Sequence, residues 1–407
     1  MRPKKEFTTT ATADDISRSN TDLNSMRAGN HKFSSLAAEK QLSFHPRKSS
    51  YLVYGTENFN AKVKMETDEH PVMLGKAIIS EKKEETYLGD VFSSLGLTES
   101  VAATVSEKTG KVKGSIYELR ELMEDFRMQS IGGIEAAIDL YESSIVPSLL
   151  ANCATWLNMD KKIEDKLDSI QDLFGRVLLK APQSTPRLAV RGALGLQGMK
   201  FRVWQEKVLL ILAIREQEEG CLAKEVLEEQ VRMGWPGLGQ EVQEICRQTG
   251  LEDATAEEVQ LDKEAVKEAM KVSNLKYMKE DMTGAKLDNM RRSDMRLRRE
   301  YTKLIVEEAR MAFRLEVLQF DCRANMPSKY GRDLRCRACG PQLQPGQRQE
   351  DQDHQDQGHV EDQEHLECCM GYAELWDGLG PATEQSRIKY FMRVQLKRMK
   401  QQQQKEQ

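Results

Sequence analysis

A short extended segment at residues 86–90 divides the chain into two parts of different character. On its N-terminal side the sequence is strand-like and interrupted by turn residues, and on its C-terminal side amphipathic helical patterns predominate. A glycine within an extended stretch indicates a turn, a bulge or a close backbone approach, and Gly89 lies inside this segment. We therefore predict a hairpin around Gly89 and a mostly helical α+β fold for the chain.

The composition is typical of a helix-rich, well-solvated protein with two or three domains. The chain has 407 residues, of which 31% are charged and 6% are aromatic, and its net charge is −5. A charge this small gives no global reason to expect binding to nucleic acid or to a membrane. No apolar run approaches the roughly 18 residues of a membrane helix, and the basic start lacks the apolar core of a signal peptide. We expect an intracellular protein without a membrane partner.

Apolar residues recur at helical spacing through the middle of the chain and predict three helices. The three stripes are Ile134, Ile138, Tyr141, Ile145 and Leu149; Ile163, Leu167, Ile170, Phe174, Val177 and Leu178; and Val203, Leu209, Leu210 and Ile214. Pro147 falls inside the first stripe, and because proline cannot continue the helical hydrogen bonds, we expect the helix to stop or kink near Val146. Asp160 is the expected N-cap of the second helix.

Two adjacent carboxylates, Asp14 and Asp15, follow a β-prone run near the start of the chain. Acidic residues at such a position are common in turns and at helix N-caps. A second interpretation is chemical, because paired aspartates at a hairpin tip can hold Mg²⁺ for phosphoryl transfer.

Several features in order along the chain resemble a known polymerase. The Asp-Asp hairpin, a helix, a strand just after Lys48 and the hairpin at 86–90 follow one another. This order resembles the second half of the palm in non-LTR (LINE-type) retrotransposon reverse transcriptases. The resemblance implies that Asp14 and Asp15 bind the catalytic Mg²⁺ and that Lys48 is the lysine of the motif that follows them.

The resemblance extends into the helical part of the chain. It implies that Tyr87, Leu88 and Gly89 form the hairpin that grips the primer in that family. Residues 144–156 and 169–176 are similar to the thumb that follows the palm. In the family, such a thumb holds the template–primer duplex through backbone contacts.

The chain also departs from the family pattern. Thr12 stands where the family has an aromatic residue, and only 13 residues precede Asp14. The fingers, the first catalytic aspartate and the nucleotide-binding motif therefore have no counterpart in the sequence. Since two-metal phosphoryl transfer needs carboxylates on both sides of the ions, we expect that this chain alone does not polymerise DNA.

The densest basic patch of the chain lies in a charged helical stretch from 250 to 320. It consists of Arg291, Arg292, Arg296, Arg298 and Arg299. A run of this kind is usually a solvated face. The alternative is contact with nucleic-acid phosphates, in which basic side chains displace counterions. Few aromatic residues accompany the patch, which argues against base stacking.

Five of the eight cysteines lie in the last quarter of the chain, which favours a local metal site over a disulfide framework. The predicted ligands of a tetrahedral Zn²⁺ ion are Cys336, Cys339, His365 and Cys369. His359 and Cys368 remain competing ligands. The set resembles the zinc knuckle that follows the thumb in many non-LTR polymerases.

The expected domains are a partial palm at 1–96, a helical thumb at 97–235, a charged helical connector at 236–330, a zinc knuckle with a disordered insert at 331–373 and a flexible tail at 374–407. The resemblance implies a fragment of an RNA-directed DNA polymerase that binds RNA template and DNA primer in the nucleus. Two alternatives stay open: a non-catalytic nucleic-acid-binding module, and a decayed element without a function.

Overall fold

The computed structural model of the chain is mostly helical with a few short strands, which confirms the predicted fold class at that level. The structure describes residues 9–12, 15–19, 22–42, 44–45, 48–55, 57–124, 131–256, 259, 261–281, 304–316, 379 and 384–406. The chain divides into two compact units, each built from three segments. The first unit consists of Met1–Lys111, Ser148–Leu167 and Val203–Lys267, and the second of Val112–Pro147, Asp168–Arg202 and Glu268–Gln407. The predicted five-part division stays a prediction.

The described strands are short and pair two at a time. They are β1 (Thr9–Thr12), β2 (Asp15–Arg18), β3 (Ser50–Tyr51), β4 (Met73–Leu74), β5 (Ala77–Ile78), β6 (Ser80–Glu81), β7 (Glu84–Tyr87) and β8 (Asp90–Ser93). β1 and β2, β4 and β5, and β7 and β8 form antiparallel pairs, and β3 pairs with β6 in parallel. Within the described residues no sheet has more than two strands, so the Asp15 hairpin and the Gly89 hairpin belong to separate sheets.

The described helices vary from about one turn to more than seven. They are α1 (Leu23–Glu39), α2 (Glu57–Glu69), α3 (Leu97–Glu124), α4 (Gly133–Leu140), α5 (Val146–Leu150), α6 (Lys161–Leu179), α7 (Arg187–Leu194), α8 (Met199–Arg215), α9 (Leu222–Met233), α10 (Leu238–Thr249), α11 (Lys263–Asp281), α12 (Val306–Glu316) and α13 (Glu384–Glu406). Among the residues with a described position, no helix is long and apolar enough to cross a membrane.

Burial supports the first two predicted stripes. All five residues of the first stripe are buried, and the second stripe is buried except at Val177, which is half-buried. In the second unit, the rings of Tyr141 and Phe174 stack with their centroids 4.0 Å apart and so join the two stripes. The predicted N-cap is also present, because Asp160 Oδ1 accepts a hydrogen bond of 2.8 Å from the N–H of Ile163.

The interruption expected at Pro147 lies just before the proline. α4 ends at Leu140, a π-helical turn covers Tyr141–Ile145, and α5 begins at Val146. The N–H of Val146 donates to the carbonyl of Tyr141, five residues earlier. A π turn widens the backbone where a proline would otherwise collide with the carbonyl four residues before it, so the chain continues as a helix beyond the break.

The prediction that the third stripe is buried was only partly correct. In α8, Val203 is buried as predicted, but Leu209, Leu210 and Ile214 are only half-buried. The fully buried positions in this part of the helix are Val203, Lys207, Val208 and Ile211. α8 has apolar residues on all of its sides, so the sequence pattern did not distinguish its inner face from its outer face.

Within the predicted tail at 374–407, the structure describes a helix, α13. α13 begins at Glu384, and its Ile388, Phe391 and Val394 side chains are buried. These three residues recur every three residues, which places them near one side of a helix. α13 packs against α12 within the second unit, and this contact explains the burial.

Candidate nucleic-acid interface

The hairpin predicted around Gly89 forms from β7 and β8 in the first unit. Tyr87 pairs with Asp90, so only Leu88 and Gly89 make the turn. Both turn residues have positive φ angles, +51° at Leu88 and +85° at Gly89, as a type I′ turn requires. A Cβ atom on Gly89 would meet nothing within 4 Å, so glycine is favoured here by backbone conformation rather than by space.

Helix α3 provides hydrogen-bond acceptors for the backbone N–H groups on the outer edge of β8. In a two-residue hairpin, every second residue of a strand points its N–H and C=O away from the partner strand. The outward N–H groups of Val91 and Ser93 donate to the hydroxyls of Thr104 and Ser100, each at 2.8 Å. Those hydroxyls lie one helical turn apart, about 6 Å, which matches the roughly 6.6 Å between alternate strand residues. The edge is therefore covered and the hairpin is fixed on α3.

A largely buried ion pair fixes the first residue of β8. Lys108 of α3 donates to Asp90 Oδ1 at 2.9 Å, and the two side chains are only 9% and 16% exposed. The Lys108 ammonium also donates to the carbonyl of Ala151 and lies 5.0 Å from the ring centroid of Trp156. The Trp156 Nε1–H points to the same Asp90 oxygen at 3.5 Å. The lysine thus joins the hairpin, α3 and the segment after α5.

The turn itself is held by a second contact. Asn152 donates its side-chain N–H to the carbonyl of Leu88 at 2.9 Å. Asn152 has a φ of +61°, a left-handed conformation that asparagine adopts more easily than most residues. The backbone of the hairpin tip is therefore positioned by residues that follow it by more than sixty positions in the sequence.

The segment that follows α5, residues 151–158, is also anchored at its C-terminal end. Lys207 of α8 is 3% exposed and forms an ion pair with Glu241 of α10. The second carboxylate oxygen of Glu241 accepts a hydrogen bond of 2.6 Å from the N–H of Asn158. Within this segment, burial raises the pKa of the Cys153 thiol to about 12. Cys153 is therefore a neutral packing residue.

The hairpin presents an apolar tip and an aromatic face. Leu88 is 45% exposed and Phe92 is 39% exposed. The Tyr87 and Phe92 rings meet edge to face with centroids 6.4 Å apart. Because Tyr87 pairs with Asp90, and Phe92 lies two residues further along β8, both rings lie on the same face of the hairpin. Such a surface can contact sugars and bases, and residues 84–93 include no Lys or Arg.

Two of the other predicted site residues are at least partly described. Asp15 is the first residue of β2, and its backbone pairs with Thr12. Lys48 is exposed, and its backbone N–H donates to the carbonyl of His45 at 3.0 Å. Asp14 lies outside the described residues. The predicted magnesium site therefore stays a prediction.

The basic patch and the zinc ligands also fall outside the described ranges. These residues are Arg291, Arg292, Arg296, Arg298, Arg299, Cys336, Cys339, His365 and Cys369. Within the part of the chain that the structure describes, no group of three or more His, Cys, Asp or Glu residues could hold a metal ion.

Sequence reasoning missed the residues that support the hairpin. In α3, the buried Val101 and Val105 are followed at helical spacing by Lys108. A lysine therefore occupies a position on the buried side of α3, where the helical pattern calls for an apolar residue. That mismatch was the available signal for a buried charge. Asp90 lies in the predicted hairpin segment but had no assigned role, and Asn152 had no recognisable signal.

No family model matches the chain, and no curated protein or solved structure matches it.

Proposed function

We propose that this chain is the C-terminal part of a non-LTR retrotransposon reverse transcriptase and that it contributes contact with the RNA template and DNA primer. The observation that carries the proposal is the Gly89 hairpin. Asn152 holds its exposed tip at Leu88, and Lys108 holds the hairpin at Asp90. A rigid tip with an apolar, aromatic surface suits contact with the sugar and base edges of a primer end.

The order of elements supports the same proposal. The hairpin is followed by the long helix α3, and the 151–158 segment after α5 returns to the hairpin. The resemblance to the thumb begins at residue 144, just before this returning segment, and includes residues 151–156. A thumb placed directly against a primer-grip hairpin would let both contact the same duplex.

The catalytic part of the proposal rests on the resemblance alone. Asp14 and Asp15 would bind Mg²⁺ in the family, and Cys336, Cys339 and His365 would share Zn²⁺ with Cys369. Binding of nucleic acid without catalysis remains the second candidate, and the described hairpin supports it equally. Primer extension on a homopolymer RNA with a DNA primer is expected to be absent for this chain alone, and extension that disappears in Asp14→Asn would show instead that its palm is complete enough for catalysis.

The hairpin contact is tested by Leu88→Asp. An Asp-Gly pair is favoured in a type I′ turn, so this substitution keeps the hairpin and places a carboxylate at its tip. A like charge about 4 Å from a phosphate costs about 1 kcal/mol in water, which is about a fivefold loss of affinity. We expect that loss for a primer–template duplex, measured by fluorescence anisotropy.

Two further variants control this experiment. Leu88→Asn has the same turn preference without the charge, so it reports the loss of the apolar contact alone. Leu122→Asp adds the same charge on α3 at a leucine of similar exposure, 46% against 45%. An equal loss in Leu88→Asp and Leu122→Asp would show that general charge repulsion, and not the hairpin, causes the weaker binding.

A further inference from the structure

Four residues on the outward side of α9 have the spacing of a helix–helix contact. They are Leu222, Val226, Glu229 and Met233, which follow one another after four, three and four positions. Residues at this spacing lie along one side of a helix and form the contact row of a coiled coil. Val226 is 46% exposed and Met233 is 48% exposed, so this row, which we call the α9 seam, lies on the surface of the first unit.

The opposite side of α9 is used inside the first unit. α9 packs on α10, where Leu227 and Val231 lie against Gly239. A Cβ atom at position 239 would come within 2.9 Å of Val231 Cγ2, so glycine permits the close approach of the two helices. The α9 seam is therefore not needed for the packing between α9 and α10.

Trp235 extends the seam beyond the end of the helix. α9 ends at Met233, and Gly234 follows with a φ of +63°. The backbone N–H of Trp235 then donates to the carbonyl of Gln230 at 3.0 Å, a closure that ends many helices and holds Trp235 in place. Trp235 is exposed, and tryptophan and methionine are enriched at protein–protein interfaces.

The charge around the α9 seam indicates the kind of partner. Residues 216–233 contain six Glu, one Lys and one Arg, so their net charge is −4. The Lys and the Arg each pair with a glutamate of the same segment. Three exposed glutamates form no ion pair with a described residue: Glu216, Glu218 and Glu228. This excess of negative charge repels nucleic acid and attracts a cationic partner.

A second copy of this chain does not suit the seam. In a parallel pair of α9 helices Glu229 would lie opposite its own counterpart, and in an antiparallel pair it would lie opposite Val226. Neither arrangement gives Glu229 a cation from the other helix. Its ion pair with Arg232 has both side chains exposed, and because such pairs contribute little to stability, a partner's lysine can replace Arg232.

We propose that the α9 seam and Trp235 bind one amphipathic helix of a protein partner, which has apolar residues along one side and Lys or Arg beside them. The contact extends over about 18 Å, because α9 has 12 residues. The proposal is independent of the polymerase resemblance, since the partner is a protein and the surface repels nucleic acid.

The test uses the full chain and two fluorescein-labelled helical peptides of about 18 residues. Both have leucines at coiled-coil spacing, and the other positions are Lys and Ala in one peptide and Glu and Ala in the second. We expect one Lys peptide to bind per chain, with an affinity that falls as salt screens the charges, and much weaker binding of the Glu peptide. Equal binding of the two peptides would overturn the proposal.

Glu229→Lys reverses the charge within the seam, and Glu228→Lys is its matched control. The two positions are adjacent in sequence and so lie about 100° apart around the helix. Because a like-charge contact at about 4 Å in water changes affinity about fivefold, Glu229→Lys should weaken binding of the Lys peptide at least about fivefold more than Glu228→Lys. Equal losses would assign the binding to general charge attraction and overturn the proposal.

Val226→Asn tests the apolar part of the seam, and Val272→Asn, at an exposed valine of α11, is the control. Loss of the valine contact and burial of an amide should weaken binding of the Lys peptide about five- to tenfold, and the control should bind as the wild type does. If circular dichroism shows that Val226→Asn is unfolded, Trp235→Ala should give a loss of at least about fivefold. Unchanged affinity in the folded variant would overturn the proposal.

Sedimentation of the chain without peptide distinguishes a second copy from a different partner. We expect that Val226→Asn leaves the oligomeric state unchanged. A dimer that Val226→Asn separates would show that a second copy occupies the α9 seam, and this result would overturn the proposal.

Discussion

Removal of the Lys108 charge is the most direct test of how the hairpin is supported. In Lys108→Met, the side chain keeps its length and apolar stem but loses the ammonium group. Asp90, whose side chain is 16% exposed, then keeps a largely desolvated carboxylate without its cation. The carbonyl of Ala151 loses its donor as well. Both groups must find water or move, and either change weakens the attachment of the hairpin to α3, where the hydrogen bonds to Thr104 and Ser100 remain.

The magnitude follows from the burial of the pair. Breaking a buried ion pair by removing one partner costs about 3–5 kcal/mol, because an uncompensated charge remains. The Asp90–Lys108 pair is not fully buried, so some water reaches the carboxylate and we expect about 2–3 kcal/mol. Replacing both partners leaves no orphaned charge, so Asp90→Asn combined with Lys108→Met should cost less than the sum of the two single substitutions.

The assay is urea unfolding of the four proteins in this cycle, followed by circular dichroism. We expect a coupling energy of at least about 1 kcal/mol between positions 90 and 108. Affinity for the primer–template duplex should fall in Lys108→Met and recover in part in the double variant. Additive losses, or a cost below about 0.5 kcal/mol for Lys108→Met, would refute a supporting role for the pair, since exposed pairs give values of that size.

Three further outcomes are expected. Burial raises the pKa of Glu85, but hydrogen bonds from Lys82 and Ser50 outweigh burial and lower this pKa overall. The stability that the Glu85 carboxylate adds is therefore present above its unfolded pKa of about 4.5 and is lost as the pH falls below that value. Glu85→Gln should therefore flatten the acid end of a Tm-against-pH curve. Iodoacetamide at pH 8, with peptide mapping, should label half-buried Cys221 before buried Cys153, and equal labelling would contradict the burial. Titration with Co²⁺ should give thiolate charge-transfer bands that weaken in Cys369→Ser and not in Cys368→Ser, and an aqua-like spectrum would exclude the zinc site.

Local features of the chain were predictable from the sequence because their causes lie within a few residues. The glycine at position 89 predicted a hairpin, and a type I′ turn forms there. Asp160 caps its helix because the N–H that it accepts is three residues away. Pro147 predicted an interruption for an equally local reason, although only the structure shows that a π turn absorbs it.

The tertiary structure alone decided which residues support the candidate interface. Lys108 meets Asp90 from eighteen residues away and Ala151 from forty-three, and no period in the sequence links these positions. Lys207 is buried on the inner face of α8 because Glu241 of another helix neutralises it. Charge burial depends on a partner supplied by folding, whereas capping and turn formation depend on backbone geometry that the neighbouring residues already determine.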